Sequence, residues 1–169
     1  LTDGLDLFYK IFGYRSKSFI PPCYTWNSDI EETLNNNGIK YIQGIAAQLI
    51  PTGSFGKYRR KYHCLGNRNS YGQYYLIRNC FFEPSLSKTS DPIGECLSDI
   101  NAAFRWSKPA VISTHRINYV GSLDKKNRSS NLKLLSELLR RIIMTWPDVE
   151  FMTSDQLGDL ISGRQQSEE

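Results

Sequence analysis

Pro109-Ala110-Val111-Ile112-Ser113-Thr114-His115-Arg116 is the stretch on which the fold turns. Proline opens it, β-branched Val111, Ile112 and Thr114 fill it, and a polar run (His115, Arg116, Asn118, Tyr119) begins where it ends. That is the pattern of a buried strand delivering polar side chains to its carboxyl edge. Upstream, Ile93, Leu97, Ile100 and Phe104 recur at helical spacing, and Ser90 or Asp91 stands where a cap is needed. Downstream, Leu132, Leu135, Leu139 and Ile142 stripe a longer helix, which must stop before Pro147 because the residue ahead of a proline disfavours helix.

The same alternation extends both ways. Thr2 or Asp3 caps a first helix with Leu5, Phe8, Tyr9 and Phe12 as its apolar positions and Gly13 as its stop. Ser18–Ile20 reads as a short strand closed by Pro21 and Pro22, and a second helix starts at Asn27 or Ser28 and ends at Asn37-Gly38. Ile39–Ile42 and Tyr74–Asn79 are strands, separated by a polar, Gly-containing surface excursion over Thr52–Ser70 with room for a hairpin. Val149–Met152 is a last strand, and Thr153 or Ser154 caps a final helix through Leu157, Leu160 and Ile161. About five strands alternating with helices predict an α/β fold with parallel strands. One domain spans 1–162, with a polar, frayed tail over 163–169.

Composition agrees with a folded domain. Of 169 residues, 40% are hydrophobic and 22% charged, enough apolar surface for one core. The net charge of +4 is too small to argue for nucleic acid by itself. No apolar run reaches membrane-spanning length. Leu1 in place of Met leads us to expect a processed or partial chain. Cys23, Cys64, Cys80 and Cys96 lack metal-ligand spacing and read as buried free thiols.

Chemistry gathers at strand ends in such folds. His115 is the candidate catalytic group, since imidazole does acid–base work near neutral pH. Arg116 and Asn118 follow it as candidate substrate contacts. Pro21, Tyr24 and Trp26 form a proline-aromatic strand end suited either to stacking on sugar rings or to local packing, and Arg78 with Asn79 forms a third strand end. Arg78 can pair with Glu83 or bind substrate, and the basic run Lys57–His63 reads as a solvated loop. With His63 and His115 the only histidines, and far apart, no residue of this chain is assigned as a metal ligand.

Three segments together resemble the polysaccharide deacetylase, or NodB-like, family: Gly13–Pro22 followed by a helix and Asn37-Gly38-Ile39-Lys40-Tyr41-Ile42; Pro109–Arg116; and Trp146–Ser154. The resemblance implies the C-terminal part of a distorted (β/α) barrel that hydrolyses acetyl groups on a sugar polymer. It implies a divalent metal, with zinc expected, bound by an Asp-Asp and a His-x-x-x-His motif upstream of the matched region. It makes His115 the general acid and has Pro21, Tyr24 and Trp26 lining a sugar groove. Two positions depart from the pattern: Ile20 stands where the family has Arg, and Ser113 where it has Leu. The partners expected are a carbohydrate polymer or oligosaccharide, and either an N-terminal half or a second copy of the chain; membrane and nucleic acid are not expected. A non-catalytic carbohydrate-binding or scaffolding module on the same fold stays open. So does a glycoside hydrolase, which needs two opposed carboxylates, with Glu83, Glu95 and Asp124 as candidates.

Overall fold

Residues 1–54, 56–86, 91–122 and 124–166 are described by the computed structural model of the chain, with side chains as far as 163. They fold as mixed α/β in two compact units. One comprises Leu1–Ile77 together with the C-terminal stretch from Met152; the other is Arg78–Phe151, inserted between them.

In the first unit, strands β1 (Ser18–Phe19), β2 (Tyr41–Gly44) and, three strands later in the chain, β5 (Tyr74–Ile77) pair in parallel in the order β1-β2-β5. Helices α1 (Thr2–Phe12) and α2 (Ile30–Asn36) precede β1 and β2. Gly13 ends α1 in the left-handed conformation, donating to Tyr9 O, as the sequence predicts. The predicted cap does not form: Leu1 occupies the N-cap position and no side chain caps the helix. Helix α2 likewise starts later than Asn27 or Ser28, because the Asn27 and Ser28 carbonyls close a preliminary turn onto Ile30 and Glu31. Gly38 is left-handed, and the Ile39 amide still reaches back to Leu34 O, so β2 begins at Tyr41 rather than Ile39. Trp26, Leu34, Ile39, Ile42 and Tyr75 fill the core on one side of this sheet.

Between β2 and β5 the chain makes an antiparallel hairpin, not a crossover helix. Its strands β3 (Ala47–Pro51) and β4 (Tyr58–Tyr62) run from Ala47↔Tyr62 to Pro51↔Tyr58. The predicted surface excursion therefore starts five residues early as strand, and Lys57–His63 is mostly an exposed strand rather than a loop. Helix α5 (Ser154–Gln166) closes the unit; residues 167–169 lie outside the described residues. Thr153 caps it in both directions: Thr153 Oγ1 accepts from the Gln156 amide and the Gln156 side chain accepts from the Thr153 amide. The Lys17 amide donates to Asp155, and Asp159 accepts from Lys17 Nζ and from the Tyr41 hydroxyl. Burial and that carboxylate push the Tyr41 phenol up to about 12. Gly158 lies against the Tyr41 ring so closely that a Cβ would come within 2.5 Å of it.

The inserted unit is a single βαβ crossover with one added helix. Strand β6 (Cys80–Phe81) pairs in parallel with β7 (Ile112–Ser113), and α3 (Pro92–Arg105) connects them. Asp91 caps α3 through the Gly94 amide; Ser90 lies outside the described residues. The strand predicted over 109–114 shrinks to two paired residues, of which Ser113 alone is buried. Asn79 explains why: its side chain takes the Val111 amide and donates to Pro109 O, replacing ladder bonds by side-chain ones. Helix α4 (Lys125–Thr145) buries Asn131, Leu138 and Ile142 and packs Leu135 on the same core, whereas Leu132 and Leu139 are exposed, so half of the predicted stripe faces inward and half does not. Val149–Met152 pairs with no strand among the described residues. Val149 packs on the α3–α4 core after a turn at Pro147, and Phe151 and Met152 are exposed. The thiols divide: Cys80 and Cys96 are buried, which pushes both up to about 12, while Cys23 and Cys64 are exposed, contrary to expectation.

Candidate active site around His115

The pairing of β6 with β7 sets Phe81 opposite Ser113. In a parallel pair, the residues two further along each strand again face the same way. Those residues are Glu83 and His115, and they meet: His115 Nδ1 lies 2.6 Å from Glu83 Oε1. The His115 side chain is 59% exposed and Glu83 is largely covered. With Nδ1 engaged by a carboxylate, the ring presents Nε2 outward, the arrangement that orients an imidazole for proton transfer.

A polar network behind the pair holds it in place. Asn118, fully buried in the 3-10 turn Arg116–Asn118, donates through Nδ2 to Glu83 Oε2 at 2.7 Å and to His115 O at 2.9 Å. Its Oδ1 accepts from the Ser85 amide. From α4, Asn131 Nδ2 reaches Asn118 O and Ser85 Oγ. Burying an asparagine is tolerated because each of these groups finds a partner. Thr114 Oγ1 and Tyr119 Oη lie 2.9 Å apart, and burial raises the Tyr119 phenol.

The other sequence candidates are placed as follows. Asn118 supports Glu83 rather than facing outward, and Arg116 is exposed beside His115. Arg78 bonds Ser113 Oγ at 3.2 Å, not Glu83, and its Nε is buried without a hydrogen-bond partner. Asn79 is occupied with the backbone of residues 109–111. Pro21 and Trp26 belong to the interior of the first unit, and Tyr24 is half-buried with a left-handed φ of 56°. Trp26 Nε1 donates to the buried carboxylate of Glu31, which also accepts from Tyr75 Oη and Asn69 Nδ2. Packing accounts for Trp26 there, so of the proposed groove only Tyr24 retains exposed surface. Glu83 and Asn131 are the groups that sequence reading did not connect to His115. Neither carried a signal in the sequence: the strand that pairs with β7 begins after the stretch read as strand, and Asn131 is a polar residue beside the expected apolar stripe.

Among the described residues, no group of three or more His, Cys, Asp or Glu side chains is placed to hold a metal ion. Both Glu83 oxygens are taken up by protein partners, and His63 is bonded to Gln48 in the other unit. The donor set of these residues therefore does not fit the catalytic metal that the family resemblance implies. No described helix is long and apolar enough to cross a membrane. No protein-family model, curated protein or solved structure matches the chain.

Proposed function

We propose that this chain carries the acid half of a deacetylase-like hydrolase acting on acetylated sugars, with His115 as the general acid. The observation that carries the reading is the exposed imidazole held through Nδ1 by Glu83 at the carboxyl ends of two parallel strands. In the hydrolysis, a water oxygen adds to the acetyl carbon as a base supplied by chain outside this stretch takes its proton, which returns to the ring of His115 after turnover. His115 Nε2–H then gives its proton to the sugar nitrogen or oxygen as its bond to that carbon breaks, and acetate leaves. Glu83 steadies the ring and the positive charge it carries before transfer; Asn118 steadies Glu83. Arg116, exposed next to His115, is the substrate contact this reading retains.

The metal ligands of such a reaction are not among the described residues, so the proposal assigns them, and the rest of a distorted (β/α) barrel, to chain outside this stretch. Helix α1 supports an additional covering element: it buries none of its residues and leaves Leu7, Ile11 and Phe12 exposed. The glycoside hydrolase alternative loses support, since Glu83 is bound to His115 and Asn118, and Asp124 caps α4 through the amides of Lys126 and Asn127.

The test is acetate release from acetylated xylan and N-acetylglucosamine oligomers by the full-length protein supplied with zinc. His115→Ala should keep its circular dichroism spectrum and slow release by roughly 10²–10⁴-fold. Glu83→Gln should cost less and change the pH–rate profile. Glycan binding without acetate release would leave a binding module in its place, and unchanged turnover in His115→Ala would remove His115 from the chemistry.

A further inference from the structure

Strand β4 carries Tyr58-Arg59-Arg60-Lys61-Tyr62, with Lys57 just ahead of it, and every one of these side chains is exposed. Among the described residues none of the four cations has a carboxylate within ion-pair distance. The outer edge of β4 pairs with no described strand, since its sheet ends there. The register sorts the side chains. Arg59 and Lys61 share a face with Ile50 and Gln48, and that face continues into buried His63. Tyr58, Arg60 and Tyr62 share the opposite face, beside Pro51, Leu49 and Ala47. Tyr58 is 50% exposed and Tyr62 69% exposed. Two residues of strand separate neighbours on a face by about 6.7 Å, so the tyrosines stand about 13 Å apart with a guanidinium between them.

We infer that β4 is a binding strand for an extended acidic polysaccharide. On one face the Arg60 guanidinium, which matches a carboxylate in a bidentate way, stands between two tyrosine rings that offer flat apolar faces for sugar rings, and on the other Arg59 and Lys61 add positive charge along the same strand. The free backbone edge supplies donors and acceptors for sugar hydroxyls. A nucleic acid would use the same two kinds of contact. It is disfavoured because the excess charge of the chain is only +4 and is concentrated on this one strand, not spread as a broad basic field. The inference rests on the hairpin alone and does not depend on His115.

The experiment is titration of the full chain with polygalacturonate, with neutral dextran and a single-stranded oligonucleotide as competitors. Polygalacturonate should bind with an affinity that falls as salt rises, and dextran should not compete. The variant Arg59→Gln/Arg60→Gln/Lys61→Gln should lose about tenfold or more in affinity. Tyr58→Ala/Tyr62→Ala should lose a smaller factor without changing the salt dependence. All five side chains are exposed, so circular dichroism of both variants should match the parent. No binding of polygalacturonate, tighter binding of the oligonucleotide, or full affinity in the triple variant would each overturn the inference. In the first case the charges serve only to keep a free edge from pairing with other chains.

Discussion

His63 and His115 differ in almost every respect that matters to an imidazole. His63 is buried, stacked 3.7 Å from the Tyr75 ring and 6.0 Å from Trp26, with Nε2 on the Gln48 side-chain oxygen at 2.8 Å. Beside it, buried Glu31 accepts from a tryptophan, a tyrosine and an asparagine. His115 is open to solvent on one side and bonded to a glutamate on the other. In the first region polar groups are spent on one another, anchoring the hairpin to the sheet. In the second, one nitrogen is fixed so that the other is available. A polar cluster in a core thus reads as structure when every group is satisfied and enclosed, and as a candidate for chemistry when one member is left facing water.

That contrast can be broken by mutation, beginning where the effect is greatest. Glu31→Ala strands two buried donors, Trp26 Nε1 and Tyr75 Oη, and should cost roughly 2–3 kcal/mol of unfolding free energy, read from urea denaturation. A loss below about 1 kcal/mol would mean the cluster is not the anchor described. Tyr75→Phe removes one bond from the same carboxylate while keeping the ring on His63, and should cost about 1 kcal/mol. A smaller effect should appear with pH. Burial, reinforced by Lys61, holds the His63 imidazole below its usual value, against a weaker opposite pull from Glu31. The unfolded ring titrates near ~6.5. As pH drops below that, the unfolded chain gains a proton that the folded chain resists, so stability falls until the folded value is passed. His63→Gln should therefore show a shallower decline of the urea midpoint from about pH 7 to about pH 5 than the parent; parallel curves would exclude His63 as the cause. Least of all, His115→Ala should move stability by no more than about 0.5 kcal/mol. A larger loss would make His115 structural, as His63 is.

The sequence made the alternation of helices with parallel strands visible, and with it the position of His115 at a strand end. Caps with a clear chemical signature were legible as well: Gly13, Asp91 and Thr153 act where expected. What was not legible depends on partners distant in the chain. The two-residue length of β7 follows from Asn79, thirty residues earlier, holding the strand backbone. The inward face of α4 includes Asn131, which a search for apolar periodicity passes over. Trp26 looked like a sugar platform because its neighbours are prolines and aromatics, while its actual partners, Glu31 and His63, carry no local signal. A hairpin was anticipated in the excursion after β2, but its bounds were not: β4 has no apolar alternation to mark it as strand, because all five of its side chains face solvent.

The first unit is built from both ends of the described chain, with its last helix supplied after the inserted unit is complete. This sets an order of events during synthesis. A nascent chain emerging from the N-terminus presents β1, β2 and β5 before Asp155 and Asp159 exist to bind Lys17 and Tyr41. The inserted unit, continuous from Arg78 to Phe151, has all its own elements earlier and can consolidate while translation is still under way. The first unit therefore waits on Ser154–Gln166, a helix made only after the whole of the segment between its two parts.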